Sequence, residues 1–175
     1  QFVEGTDPVA ANAPAIHSLL VARHGKLVLE EYFAGYDATR THDLRSASKT
    51  FTSVMLGVAM HQGKLIGPNA SVYAAFPNTN QLVASDAGRA RITLGQLLTH
   101  SSGLACDDND DASPGNEERL QTQKEQPDWY RYTLELPVLH QPGTVYAYCS
   151  AGLNLAAGVI ARATRSWLPS FFDHN

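Results

Sequence analysis

A serine hydroxyl is a poor nucleophile at neutral pH and needs a proton acceptor within hydrogen-bond reach. In this 175-residue sequence Ser46 and Lys49 stand three residues apart. That spacing puts both side chains on one face of a helix, with Cβ atoms about 5–6 Å apart. Ser46 is expected in the first turn, where free backbone N–H groups and the positive end of the helix dipole favour developing negative charge. A lysine acts as a base only after losing its proton, so the pair also requires surroundings that disfavour the charged ammonium. Spacing alone is not specific. Twelve serines and four lysines give roughly a quarter of one such pair by chance in a chain of ordinary composition. A helix-start serine beside a solvated lysine is the competing reading, and the neighbouring residues must decide.

The elements that carry these residues are legible in part. Over residues 46–62, Phe51, Val54, Met55, Val58 and Ala59 recur at helical spacing, and Gly63 stands where a helix C′ residue belongs. Residues 17–33 are two β-capable runs around Arg23-His24-Gly25-Lys26, a hairpin signal. Residues 1–14 read as an irregular lead-in. Residues 92–99 predict a short helix opened by Thr93, with Leu94, Leu97 and Leu98 on one face. Residues 106–118 form a polar, acidic loop. A helix is expected over 121–136, around Trp129 and Tyr132, with Pro137 ending it. Pro142-Gly143 marks a turn before residues 145–148, and 153–163 predict an amphipathic helix with Leu155, Val159 and Ile160 apolar. The order is one hairpin (15–36) followed by a mostly helical region (37–175), an α+β pattern. A two-stranded hairpin is not stable alone, so its sheet is expected to need more strands than this sequence supplies.

Hydrophobic residues make up 43% of the chain and charged residues 17%, which argues for a packed globular core and against disorder. Thirteen basic against seventeen acidic residues give a net charge of -4. That balance offers no long-range attraction to nucleic acid or to an anionic membrane. No apolar stretch approaches the roughly eighteen residues of a membrane span. The chain begins at Gln1 without a methionine and carries no signal-like segment, so it is expected to be either processed or an excerpt of a longer chain, and a periplasmic or extracellular location is expected. Cys106 and Cys149 are too few for a disulfide framework. One bridge in an oxidising compartment and two buried thiols both remain open.

Three runs decide between the readings of Ser46. Leu44-Arg45-Ser46-Ala47-Ser48-Lys49-Thr50-Phe51 resembles the nucleophile helix of class C β-lactamases, D-alanyl-D-alanine carboxypeptidases and their esterase relatives. The S-x-x-K spacing is a known mark of that class. Leu97-Leu98-Thr99-His100-Ser101-Ser102-Gly103-Leu104 is similar to the family's LLTHTSGL signature. Pro142-Gly143-Thr144, followed by Tyr148-Cys149-Ser150-Ala151-Gly152-Leu153-Asn154-Leu155, resembles its segment ending in YSNAGYNLLG. The resemblance runs from about Leu20 to the end of the chain. It implies the β-lactamase/transpeptidase-like fold, an antiparallel sheet with a helical subdomain, of which residues 1–175 would be the N-terminal portion.

The same resemblance implies that Tyr148 is a third catalytic residue, a phenolate that takes the Ser46 proton and later passes it to the leaving group. Two departures stand out. Ser150 replaces the asparagine of Tyr-x-Asn, keeping a substrate-binding position but losing the amide fork. The family's last motif, Lys- or His-x-Gly on a strand, has no match after Tyr148, so the remaining part of the catalytic domain is expected beyond Asn175. His100 belongs to the second signature and reads as structural.

The expected protein is therefore a serine hydrolase working through an acyl-enzyme on a small ester, amide or D-amino-acid peptide. Carboxylesterase activity is favoured, and the chemistry calls for no metal or organic cofactor. A D-amino-acid peptidase or β-lactamase is the alternative within the family. A non-catalytic penicillin-binding or sensor domain, or a structural fragment, are the readings outside enzymology. Asp107, Asn109, Asp111 and Glu118 fall at positions 1, 3, 5 and 12 of a calcium-loop pattern. Ala112 replaces its required glycine and Pro114 disturbs it, so a solvated acidic loop is the better reading.

Overall fold

The computed structural model describes residues 16–122 and 128–175; the expected irregular lead-in at 1–14 lies outside them. The chain forms two compact units, Gln1–Arg45 and Ser46–Asn175. In the first, strands β1 (Ser18–Arg23) and β2 (Lys26–Tyr32) pair antiparallel. His24 and Gly25 join them at φ 51° and 74°, the doubly left-handed backbone that a two-residue hairpin requires to match strand twist. Leu19, Leu20, Val21, Leu27, Val28 and Leu29 alternate between the two faces, and all are 38% to 59% exposed. Beyond the hairpin, the His17 and Tyr36 rings stack with centroids 4.0 Å apart, and His17 Nδ1 meets His42 Nε2 at 2.6 Å.

The second unit is helical. A 3₁₀ turn at Arg45–Ser48 leads into α1 (Lys49–His61), followed by α2 (Asn80–Ser85), α3 (Leu94–Leu98), α4 (Glu117–Thr122), α5 (Trp129–Glu135), α6 (Ser150–Thr164) and α7 (Leu168–Asp173). Helix α6 is its axis and packs against α1, α3, α5 and α7. The apolar positions that the periodicity marks are buried: Leu155, Val159 and Ile160 keep at most 1% exposure. Each such side chain contributes about 1.5–3 kcal/mol by leaving water. Gly158 lies where a Cβ would come within 2.6 Å of the Tyr130 ring, so its bareness sets the close approach of α5 to α6. None of the helices among the described residues is long and apolar enough to cross a membrane.

Local chemistry explains several boundaries. Thr93 and Gln96 make a reciprocal capping box at the start of α3. Gly63, at φ 68°, donates its N–H to the Met60 carbonyl and closes α1. Two expectations need correction. The α-helix expected over 46–62 begins at Lys49, not at Ser46. Residues Arg45–Ser48, opening on Arg45 at a positive φ of 47°, form a tight 3₁₀ turn instead. Nor is there one helix over 121–136. Helix α4 starts inside the expected loop, where the Asn116 carboxamide accepts the Arg119 N–H. Asp128, extended at φ -139°, opens α5 by accepting the N–H groups of Tyr130 and Arg131.

Among the described residues, Arg89 is a buried charge in the core. Arg89 is 7% exposed; its guanidinium donates to the Tyr73 hydroxyl at 3.0 Å and to the Leu134 carbonyl. The carbonyl end of α5 thus receives the donors that the helix itself cannot supply.

Candidate active site

Ser46, exposed in its 3₁₀ turn, and Lys49, half-buried at the head of α1, face each other across one helical turn. Lys49 Nζ donates to Ser46 Oγ at 3.0 Å. The same Nζ lies 5.0 Å from the centre of the Tyr148 ring. The fold therefore brings together the three side chains, 102 positions apart at their extremes (Ser46 to Tyr148), all within the Ser46–Asn175 unit. A hydrogen bond from Ser46 is the largest influence on Tyr148 and holds its pKa below the ordinary tyrosine value. The hydrogen bond and charge of Lys49 act in the same direction, while burial and the Asp108 carboxylate oppose them.

Tyr148 lies in the extended segment 145–149 that precedes α6, and its neighbours hold it from two sides. His100 follows α3 at φ 55°, which turns the chain back along this segment. Its carbonyl accepts the Ala147 N–H at 2.9 Å. Its Nδ1 accepts the Cys149 N–H at 3.0 Å, so the ring proton sits on Nε2. Its ring stacks on Tyr148 with centroids 4.6 Å apart, and Tyr146 approaches it edge-on at 5.8 Å. Gly103, two residues past the signature's Ser101, has φ 78°, and a Cβ there would run into the His140 carbonyl. That contact seats the His100 loop against the residues leading to Tyr148.

On the other side, Cys106 and Cys149 form a disulfide with Cα atoms 5.3 Å apart, which decides between the two possibilities for these cysteines. Ser150, the substrate-binding candidate, donates both its N–H and its hydroxyl to Asp108 Oδ2, at 2.9 and 2.7 Å. Its hydroxyl is thus engaged within the protein. The acidic loop is ordered by its own turns: Asp107 Oδ1 accepts the Asn109 N–H and Asp110 Oδ1 accepts the Ala112 N–H. Sequence reasoning missed Asp108. It is one of four aspartates in Asp107-Asp108-Asn109-Asp110-Asp111, and nothing local marks it as the one that reaches Ser150.

The Beta-lactamase family model matches residues 13–173, and the chain belongs to that family. Among solved structures it is similar to a "putative beta-lactamase" from Bacteroides dorei, with TM-score 0.65 and 18% identity over 89% of this chain and 43% of that one. It is also similar to a "putative 6-aminohexanoate-dimer hydrolase" from Bacillus anthracis, with TM-score 0.62 and 18% identity over 87% of this chain and 41% of that one. These likenesses establish the α+β, β-lactamase-like fold. The chain spans less than half the length of either structure. No curated protein matches it.

Proposed function

We propose that the chain carries the acylation machinery of a serine hydrolase that works through an acyl-enzyme, with ester substrates favoured. The observation that carries this reading is the 3.0 Å hydrogen bond from Lys49 to Ser46 beside Tyr148. In that arrangement the lysine donates, which leaves the Ser46 proton free to pass to the phenol oxygen. Tyr148 is then the general base, and Lys49, expected from the spacing as a deprotonated base, is instead the cation that steadies its charge. Ser46 Oγ attacks the carbonyl as its proton moves to Tyr148, and Tyr148 returns that proton to the leaving alcohol or amine. Water, deprotonated by the same tyrosine, releases the acyl group from Ser46.

The preference for esters rests on Ser150. It has no carboxamide, and its hydroxyl is given to Asp108, so it lacks the fork that would grip an amide or β-lactam. An amide substrate is the second reading, and the name of the Bacillus anthracis neighbour, a 6-aminohexanoate-dimer hydrolase, favours it. A disulfide persists in oxidising surroundings, and the Cys106–Cys149 bridge supports a periplasmic or extracellular location.

Treating the full protein with a fluorophosphonate probe and mapping the labelled peptide tests the reading. Label on Ser46 that is lost in Ser46→Ala is expected. Label on another serine, or parental turnover by Ser46→Ala, overturns the mechanism. Complete absence of label and turnover would favour a binding or sensor domain. Rates on p-nitrophenyl acetate and nitrocefin then separate ester from β-lactam chemistry.

A further inference from the structure

Residues 106–108 run beside residues 148–150 and are tied to them at three successive points. The Asp108 N–H donates to the Tyr148 carbonyl at 2.7 Å. The Cys106–Cys149 disulfide is the covalent tie. The Asp108 carboxylate takes both donors of Ser150 on Oδ2. Its other oxygen, Oδ1, is buried without a hydrogen-bond partner. A carboxylate oxygen withdrawn from water without a donor opposes folding. The acidic loop, ordered by its own local turns, does not need that sacrifice. The cost falls instead beside the Tyr148 segment, to which Asp108 is tied.

We propose that Asp108 and the Cys106–Cys149 disulfide are the positioning element of Tyr148, fixing its phenol oxygen relative to Ser46 so that acyl transfer depends on the closed bridge. This rests on Tyr148 acting as the base for Ser46. Several charged and titratable groups surround Tyr148. Lys49 and the Ser46 hydroxyl come from the start of α1, His100 from the turn after α3, and Asp108 from the acidic loop. Glu117, at the head of α4, reaches only the Ser150 hydroxyl, at 3.5 Å. Asp108 is the negative charge that opposes Lys49 at the phenol.

Two substitutions separate position from charge. Asp108→Asn keeps an acceptor for Ser150 and removes the charge; Asp108→Ala removes both. Acylation of Ser46 by p-nitrophenyl acetate is followed across pH in the full protein. The ultraviolet titration of Tyr148, by difference from Tyr148→Phe, gives a readout independent of turnover. Asp108→Asn is expected to move both the acid limb and the Tyr148 titration to lower pH, with a loss of about two- to fivefold at the plateau. Asp108→Ala should lose about tenfold or more at the plateau, since small misplacements of reacting groups are costly. Dithiothreitol breaks the bridge by supplying two electrons and two protons, giving two thiols and its own cyclic disulfide. A similar loss of rate, with far-ultraviolet dichroism unchanged, is expected; should the reduced protein melt, the Asp108 pair decides. Parental plateau and acid limb in both variants, or a folded reduced protein working at the oxidised rate, overturns the proposal. Turnover that survives Ser46→Ala brings down the acyl-transfer reading and this proposal together. Ser46 labelling that is indifferent to Asp108 and to the bridge brings down this proposal alone.

Discussion

The His100 imidazole lies against the Tyr148 phenol, ring planes 29° apart, while its Nδ1 holds the N–H of the next residue, Cys149. One side chain thus fixes a ring and the backbone beside it. Burial, and after it the charge of Lys49, holds the His100 pKa below the ordinary histidine value, with Asp108 pulling the other way. The unfolded chain therefore takes up this proton first, near pH 6.5. The stabilisation is complete above that pH and is lost as pH falls below it. His100→Phe keeps a ring and removes both acceptor and titration. It is expected to cost about 1–2 kcal/mol at neutral pH and to flatten the stability profile below that point. Urea unfolding at several pH values checks this, and a parental slope would refute it.

Lys49 and Tyr148 predict a linked shift in rate. Both the hydrogen bond and the charge of Lys49 favour the Tyr148 phenolate. Lys49→Met should move the acid limb of the Ser46 acylation profile to higher pH and slow the neutral rate about 10²-fold or more. Tyr148→Phe should abolish that limb, with a loss of about 10²–10⁴-fold. A limb that stays in place in Tyr148→Phe would assign the base elsewhere.

The disulfide spans 43 positions, so its reduction frees a long loop in the unfolded chain. A stability loss of about 2–4 kcal/mol is expected. Thermal melting with and without reductant measures it, and coincident melts would count against the estimate.

Packing along α6 predicts a graded series. Leu155→Ala and Ile160→Ala remove fully buried side chains and should each cost about 2–5 kcal/mol. Gly158→Ala forces a methyl against Tyr130 and should cost about 1–3 kcal/mol. Ile66, 88% exposed, provides the control: Ile66→Ala should stay within about 0.5 kcal/mol. Chemical denaturation ranks the four, and a neutral Gly158→Ala would mean that α5 and α6 can part freely.

Features encoded in adjacent residues were readable. The His24-Gly25 turn, the Thr93 cap, Gly63 and the apolar stripe of α6 all act within a few positions of themselves. The Ser46–Lys49 spacing belongs to the same class, and the resemblance of its neighbours led to Tyr148. What the sequence missed or left open acts across distance. The Cys106–Cys149 bridge and the Asp108–Ser150 contact join residues more than forty positions apart, and no local pattern encodes either. Arg89 lies in an unremarkable polar run, and only the fold delivers the Leu134 carbonyl to it. Asp128 opens α5, and Pro127 in the sequence before it is the signal against one continuous helix that the apolar pattern of 121–136 outweighed.

Asp108 has one more consequence. Helix α6 is 15 residues long, and its amino end faces the Asp108 carboxylate through the Ser150 N–H. Such an end would ordinarily attract an anion from solution. Here the protein supplies the counter-ion itself. An anion drawn to that helix would find its amino end already occupied by a side chain of the protein.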